Sequence, residues 1–70
     1  MYECKVLTFD HVHVRSRVLK QIPGPNPSYY LEMKDYPAIE QEVNAYLRAG
    51  FSVQNISYTP SGTMTMILVR

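Results

Sequence analysis

The chain has 70 residues and a formal net charge of +1, and 46% of its residues are hydrophobic. This composition is typical of one folded domain, and it argues against a disordered chain or a strongly basic nucleic-acid-binding protein. No apolar run approaches the roughly 20 residues that a membrane helix needs, and the alternating first residues are unlike a signal peptide. We therefore expect a single cytoplasmic domain over residues 1–70, without a membrane or nucleic-acid partner.

The small size of the chain predicts self-association. A domain of this length buries only about 60% of the surface that its unfolded chain exposes. Small domains compensate with disulfides, metals or oligomerisation. Cys4 is the single cysteine, and one cysteine with two histidines is a poor ligand set for structural zinc. A homodimer or a larger symmetric assembly is the remaining prediction.

The first strand is predicted over residues 2–9, where polar and apolar side chains alternate. Tyr2, Cys4 and Val6 share one face of this strand. On that face, Cys4 is predicted to be a small buried hydrophobic residue.

A proline-rich arm is predicted over about residues 11–33. Alternation from His11 to Val18 predicts either a continuation of the first strand with a bend or a second strand after a bulge. Three prolines at alternate positions within 23–27 stop this strand near Ile22. The following segment, Ser28–Met33, is then expected to pair with it as a hairpin.

A helix is predicted over residues 37–49. Asp35 or Tyr36 is its N-cap, Pro37 lies in the first turn, and Gly50 ends it. Four apolar residues at helical spacing form its buried face: Ile39, Val43, Tyr46 and Leu47. The polar residues of the solvent side are Glu40, Gln41, Asn44 and Arg48.

Two further strands are predicted after the helix, joined by a turn at residues 59–62 with proline second and glycine fourth. The apolar residues of the first of these strands change parity, so a bulge at 54–55 is needed to bring them onto one face. They are Phe51, Val53, Ile56 and Tyr58.

The last strand, residues 63–69, has apolar residues on both faces. Met64, Met66 and Leu68 face one way, and Ile67 and Val69 face the other. One helix covers only one face of a sheet, so a second copy of the chain is the expected cover of the other. The predicted fold is α+β, with an antiparallel sheet of four or five strands and one helix on one face.

Three segments resemble domain-of-unknown-function family 4177, a family of small bacterial and phage proteins. They are the opening Tyr2-Glu3-Cys4-Lys5-Val6, the helix end Asn44-Ala45-Tyr46-Leu47-Arg48-Ala49-Gly50-Phe51, and the closing Ile67-Leu68-Val69-Arg70. Phe51 stands where that family usually has tryptophan, and the arm from His11 to Tyr30 has no counterpart. The resemblance implies a compact sheet with one packed helix, and it implies no function.

The candidate ligand-binding residues lie in the arm. Four basic or potentially basic side chains share one face of a strand at period two, and two tyrosines lie on the opposite strand of the hairpin. Arginine forks match phosphate oxygens, histidines strengthen the positive field at mildly acidic pH, and a tyrosine stacks on a base. The set is His11, His13, Arg15, Arg17, Tyr29 and Tyr30.

Two other interpretations of this face remain open. It is also what the solvated surface of a protected edge strand looks like. A His11-x-His13 metal pair would need a third ligand, such as Asp10 or Glu32. We predict no metal site and no cofactor.

No sequence motif indicates catalysis, so the predicted function is binding without enzymatic activity. The principal hypothesis is a homo-oligomer that sequesters an anionic, nucleotide-type signalling molecule. A phage protein that captures host defence signals is one setting for it. The alternative is a protein–protein adaptor or inhibitor that docks through the Pro/Tyr-rich hairpin arm.

Overall fold

A computed structural model describes residues 3–13, 18–22 and 28–70. In chain order, these residues form β1 (Cys4–Phe9), β2 (Val18–Ile22), β3 (Ser28–Glu32), α1 (Pro37–Arg48), β4 (Ser52–Tyr58) and β5 (Met64–Val69). The predicted α+β class is confirmed. The strands form two antiparallel sheets, one of three strands in the order β1-β5-β4 and one consisting of the β2–β3 hairpin.

Strand β5 lies in the centre of the three-stranded sheet and supplies much of the core. Met64, Met66 and Leu68 are fully buried, as the alternating pattern predicts. Ile67 and Val69, on the other face, are half-buried. A central strand loses solvent contact on both sides through its neighbours, so even its outward side chains are partly covered.

Strand β1 buries the opposite face from the one that the sequence favours. Leu7 and Phe9 pack against the core, whereas Cys4 is exposed and Val6 is 60% exposed. The prediction that Cys4 is buried is therefore wrong. Alternation identifies two faces of a strand but does not say which one meets the helix, and here Leu7 and Phe9 are the larger hydrophobic side chains.

The predicted bulge in β4 is confirmed. Pairing with β5 shifts register between Val53 and Asn55. Because of the extra residue, Ile56 and Tyr58 pack against the same core as Val53. Phe51, just before β4, is 6% exposed and contacts the ring of Tyr46 edge-on, with centroids 5.5 Å apart.

Helix α1 begins and ends close to the predicted residues. Tyr36 is the N-cap with an extended φ of −136°, and Pro37 follows it in the first turn, where its missing N–H leaves no bond unmade. The helix ends at Arg48, one residue before the predicted end. Gly50 then adopts a φ of +97°, a left-handed conformation that glycine reaches without strain.

The predicted hairpin is confirmed, with Val18 opposite Glu32 and Ile22 opposite Ser28. The proline-rich segment 23–27 lies outside the described residues, as does 14–17. β2 lies between these two segments and β3 follows the second; the two strands form a ladder, and β3 lies next to α1.

Two side chains of α1 fasten the hairpin to the helix. The Asn44 side chain accepts a hydrogen bond from the Leu31 N–H (2.7 Å) and donates one to the Leu31 C=O (2.8 Å). One turn earlier, the Glu40 carboxylate accepts one from the Met33 N–H (2.9 Å). The prediction that Glu40 and Asn44 belong to the solvent side of the helix is wrong, because they satisfy backbone groups at the free edge of β3.

The core lies between the three-stranded sheet on one side and α1 with β3 on the other. Its buried residues come from all of these elements and from the segment after β1: Val12, Leu31, Met33, Val43, Phe51, Met64, Met66 and Leu68. Within the part of the chain that the structure describes, α1 is too short and too polar to cross a membrane.

Candidate functional site

The segment after β1 turns instead of continuing as a strand. His11 adopts a φ of +60°, and the next residue, Val12, is 3% exposed and donates its N–H to the Gly62 C=O (2.8 Å). The prediction of an extended strand starting at His11 is therefore wrong. The chain bends because Val12 is buried against the β4–β5 turn, and this bend leaves both His11 and His13 exposed.

The β4–β5 turn, residues 59–62, has the predicted form and is rich in hydroxyl groups. The Thr59 C=O accepts the Gly62 N–H (3.0 Å), and the Thr59 and Ser61 side-chain oxygens lie 2.8 Å apart. Gly62 has a φ of +92°, and a Cβ atom there would lie 3.5 Å from the Val12 carbonyl oxygen. The turn therefore lies close against the backbone next to both histidines.

A cleft of 370 Å³ lies between the His11–His13 segment and this turn. Its lining combines two imidazoles, two hydroxyl groups and a short apolar floor: His11, Val12, His13, Thr59, Pro60, Ser61 and Gly62. None of these residues is acidic. The nearby Asp10 carboxylate accepts a hydrogen bond from the Thr63 hydroxyl (3.0 Å) and is not part of the lining. Hydrogen-bond donors without a carboxylate suit a small anion.

The predicted ligand-binding residues are only partly brought together. His11 and His13 share the cleft, and the His13 backbone is fixed by its N–H, which donates to the Tyr36 hydroxyl oxygen (3.1 Å). Arg15 and Arg17 lie outside the described residues. The sequence also did not single out Thr59 and Ser61, since a turn motif indicates chain geometry and not which neighbours its hydroxyls meet.

The two predicted tyrosines lie in β3 and do not line this cleft. Tyr29 is 51% exposed and Tyr30 is half-buried. Adjacent strand residues point to opposite faces, so only one of the two can face a given ligand. Tyr29, the more exposed ring, is the one available for stacking.

A metal centre receives no support at this position. Over residues 3–13, 18–22 and 28–70, no three His, Cys, Asp or Glu side chains are arranged to hold a metal ion.

A second cleft, of 420 Å³, lies beside the end of α1, and two of its charged residues, Glu3 and Arg70, bond to other groups of the chain. The Arg70 guanidinium donates to the Glu3 carboxylate (3.0 and 2.9 Å) and to the Ala49 C=O (2.7 Å), and it stacks 4.5 Å from the Phe51 ring centre. These contacts join β1, β5 and the helix end. Arg70 therefore has a structural role here, and the first cleft is the better candidate site.

The positive φ of His11 predicts a strained backbone in the cleft, and a substitution tests this prediction. A non-glycine residue at positive φ is strained, and such strain clusters at functional sites. We expect His11→Gly to raise the free energy of unfolding slightly, by about 0.5 kcal/mol, because relief of about 1–2 kcal/mol of strain exceeds the entropic cost of glycine. Urea denaturation would measure this, and a destabilised variant would show that His11 is unstrained.

Comparison with known proteins gives no further assignment. No protein-family profile, curated protein or solved structure matches this chain. The resemblance to family 4177 therefore remains a prediction, and the proposals below depend on the chain's own geometry.

Proposed function

We propose that this chain is a non-enzymatic, homo-oligomeric binding protein that sequesters a phosphate-bearing, nucleotide-type small molecule. The observation that carries the proposal is the cleft in which His11 and His13 meet the hydroxyls of Thr59 and Ser61 without an acidic neighbour in the lining. The sequence adds Arg15 and Arg17 shortly after His13. Imidazole, hydroxyl and guanidinium groups are all donors to phosphate oxygens.

The hydroxyl groups of the cleft are consistent with ligand binding without catalysis. The hydroxyls of Thr59 and Ser61 are 2.8 Å from each other, and the Thr59 oxygen also accepts the Thr63 N–H (3.1 Å). Two imidazoles line the same cleft, but in the described residues the hydrogen-bond partners of these hydroxyls are each other and the Thr63 N–H, and this arrangement favours recognition over nucleophilic attack. Sequestration requires only affinity, and capture of a host defence signal by a phage protein is a biological setting in which it suffices.

Paired substitutions test the proposal. We expect His11→Ala with His13→Ala, and separately Arg15→Ala with Arg17→Ala, to weaken nucleotide binding at least about ten-fold, since each lost hydrogen bond to a charged group costs about 1.5–3 kcal/mol. Isothermal titration calorimetry with nucleotides, cyclic dinucleotides and ADP-ribose derivatives measures the affinities.

Arg48→Ala is a single-charge control for the arginine pair. Arg48 is an exposed arginine in the last turn of α1 and lies outside the cleft lining. Its loss removes one positive charge and should leave the affinity within about two-fold, the small effect expected of a distant surface charge. Equal weakening by Arg48→Ala would mean that net charge, and not the cleft, controls binding.

The exposed Tyr29 ring favours a second candidate function, that of a protein–protein adaptor or inhibitor. Amphipathic aromatic rings are enriched in protein interfaces, and Tyr29 is one of two large hydrophobic side chains described as exposed. In this case Tyr29→Ala and a shortened 23–27 segment would abolish binding to a purified partner. Arg15→Ala with Arg17→Ala would then have little effect.

A further inference from the structure

The three-stranded sheet has an outer face, directed away from α1 and the core. The register aligns every second residue of its strands on this side. The members of the outer face are Cys4, Val6 and Thr8 of β1, Thr65, Ile67 and Val69 of β5, and Ser52, Asn55 and Ser57 of β4.

The centre of the outer face is apolar. Val6 lies opposite Ile67, and Cys4 lies opposite Val69. Val6 is 60% exposed and is the second of the two large hydrophobic side chains described as exposed. Water therefore contacts a patch of β-branched side chains that fold into no other part of the described chain.

Within the three described strands, no side chain of the outer face is charged; at the end of this face, just after β1, the Asp10 carboxylate accepts a hydrogen bond from the Thr63 hydroxyl (3.0 Å). The charged residues Glu3 and Lys5 in and before β1 are on its opposite side, where they line the cleft with Arg70. A surface without charge gains nothing from a basic or an acidic partner, but it meets a copy of itself without like-charge repulsion. In a two-fold dimer, one patch faces the same patch, so it must be complementary to itself.

We infer that a second copy of this chain covers the outer face, with the two sheets packed face to face. The inference rests on the homo-oligomer proposed above and specifies the surface that forms it. Small and β-branched side chains allow two sheets to approach to the usual spacing of about 10 Å.

The size of the outer face sets the strength of the dimer. Three strands about 4.8 Å apart, paired over six positions that each rise about 3.3 Å, span roughly 300 Å² of flat surface. A stable dimer usually buries about 800 Å² on each partner. The contact is therefore expected to be reversible, with monomer and dimer exchanging as the protein concentration changes.

A charge placed in the outer face tests the inference. Val6→Lys puts two ammonium groups close together across the two-fold axis, so we expect the dimer dissociation constant to rise at least about ten-fold. Val6 is exposed within one chain, which allows the variant to fold. Sedimentation equilibrium in reducing buffer, from micromolar to near-millimolar protein, measures the constant, and circular dichroism checks the fold.

Two variants control for this substitution. Val6→Thr keeps the β-branched shape without a charge and should retain the dimer. Lys5→Glu reverses a charge on the opposite side of the same strand and should leave the dissociation constant unchanged. Loss of the dimer with Lys5→Glu would overturn the inference, because it would place the contact on the other side of β1.

The single cysteine gives an independent measurement on the unmodified protein. Cys4 is exposed in one chain and belongs to the outer face. Its alkylation rate is expected to fall as the protein concentration rises through the dimer dissociation constant. A dimer in which Cys4 reacts at the monomer rate, or a protein that stays monomeric at near-millimolar concentration, would overturn the inference.

These results separate the interface from the ligand site. A protein that dimerises through the outer face but binds no nucleotide refutes the proposed function and leaves this inference in place. A protein that binds a nucleotide but whose Cys4 stays reactive at all concentrations refutes this inference and leaves the proposed function in place.

Discussion

Asn44→Ala is expected to lower the free energy of unfolding by about 2–4 kcal/mol, because it leaves two polar backbone groups of the buried Leu31 without partners. Both the N–H and the C=O of Leu31 are satisfied by this one side chain, at 2.7 and 2.8 Å. For a domain of this size the midpoint of thermal unfolding should fall by at least about 10 °C. Differential scanning calorimetry measures both quantities.

Gln41→Ala is the matched control for Asn44→Ala. Gln41 is an exposed amide on the same helix, so its truncation to alanine removes an amide and raises helix propensity, although by less than in Asn44→Ala, without affecting Leu31. It should alter stability by less than about 0.5 kcal/mol, the usual effect of a surface substitution. Similar losses in the two variants would show that the Asn44–Leu31 bonds do not hold the hairpin.

Leu68→Ala is expected to cost about 2–5 kcal/mol, the range for removing a fully buried leucine from a core. Leu68 is 0% exposed and lies in the central strand between β1 and β4. The total stability of a domain with this many residues is only about 4–10 kcal/mol. Urea denaturation should therefore show a variant that is close to unfolding at room temperature.

Glu42→Ala on α1 provides the comparison for this loss. Its side chain is exposed, and little change in the unfolding midpoint is expected. If Leu68→Ala were as mild as Glu42→Ala, the core between the sheet and α1 could not be packed as described.

Local structure could be predicted from the sequence wherever a residue's own chemistry fixes the backbone. Pro37 and Gly50 marked the ends of the helix, and the change of parity between Val53 and Ile56 required the bulge that the structure contains. Proline and glycine restrict or extend the accessible backbone angles locally, so their effect survives in any tertiary context.

Contacts between segments that are distant in sequence could not be predicted in this way. Asn44 is polar and lies beside the apolar face of α1, so its pattern is that of a solvated residue until the edge of β3 is placed next to it. The same limit applies to Cys4, because the face of β1 that becomes buried depends on which other elements pack on it. His11 departs from the strand pattern because burial of Val12 outweighs the local cost of a positive φ.

The candidate site shows both kinds of outcome. Alternation correctly separated His11 and His13 from the buried Val12, although the chain there is not a strand. Thr59 and Ser61 come from a turn almost fifty residues away in sequence, and they reach the histidines through the pairing of β1 with β5 and the hydrogen bond between Val12 and Gly62. Sites that join distant segments depend on topology, which a single sequence specifies weakly.

The most direct test of the proposed function is a thermal-shift screen of the purified protein against nucleotides, cyclic dinucleotides and ADP-ribose derivatives. A ligand present at 100 times its dissociation constant adds about 2.7 kcal/mol to the stability of the folded state. In a domain of this size, that gain should raise the unfolding midpoint by about 10 °C or more. We predict such a shift for one phosphate-bearing class, reduced in the His11→Ala/His13→Ala variant. A flat response to every class, or an equal shift in that variant, would contradict the assignment of this cleft as the ligand site.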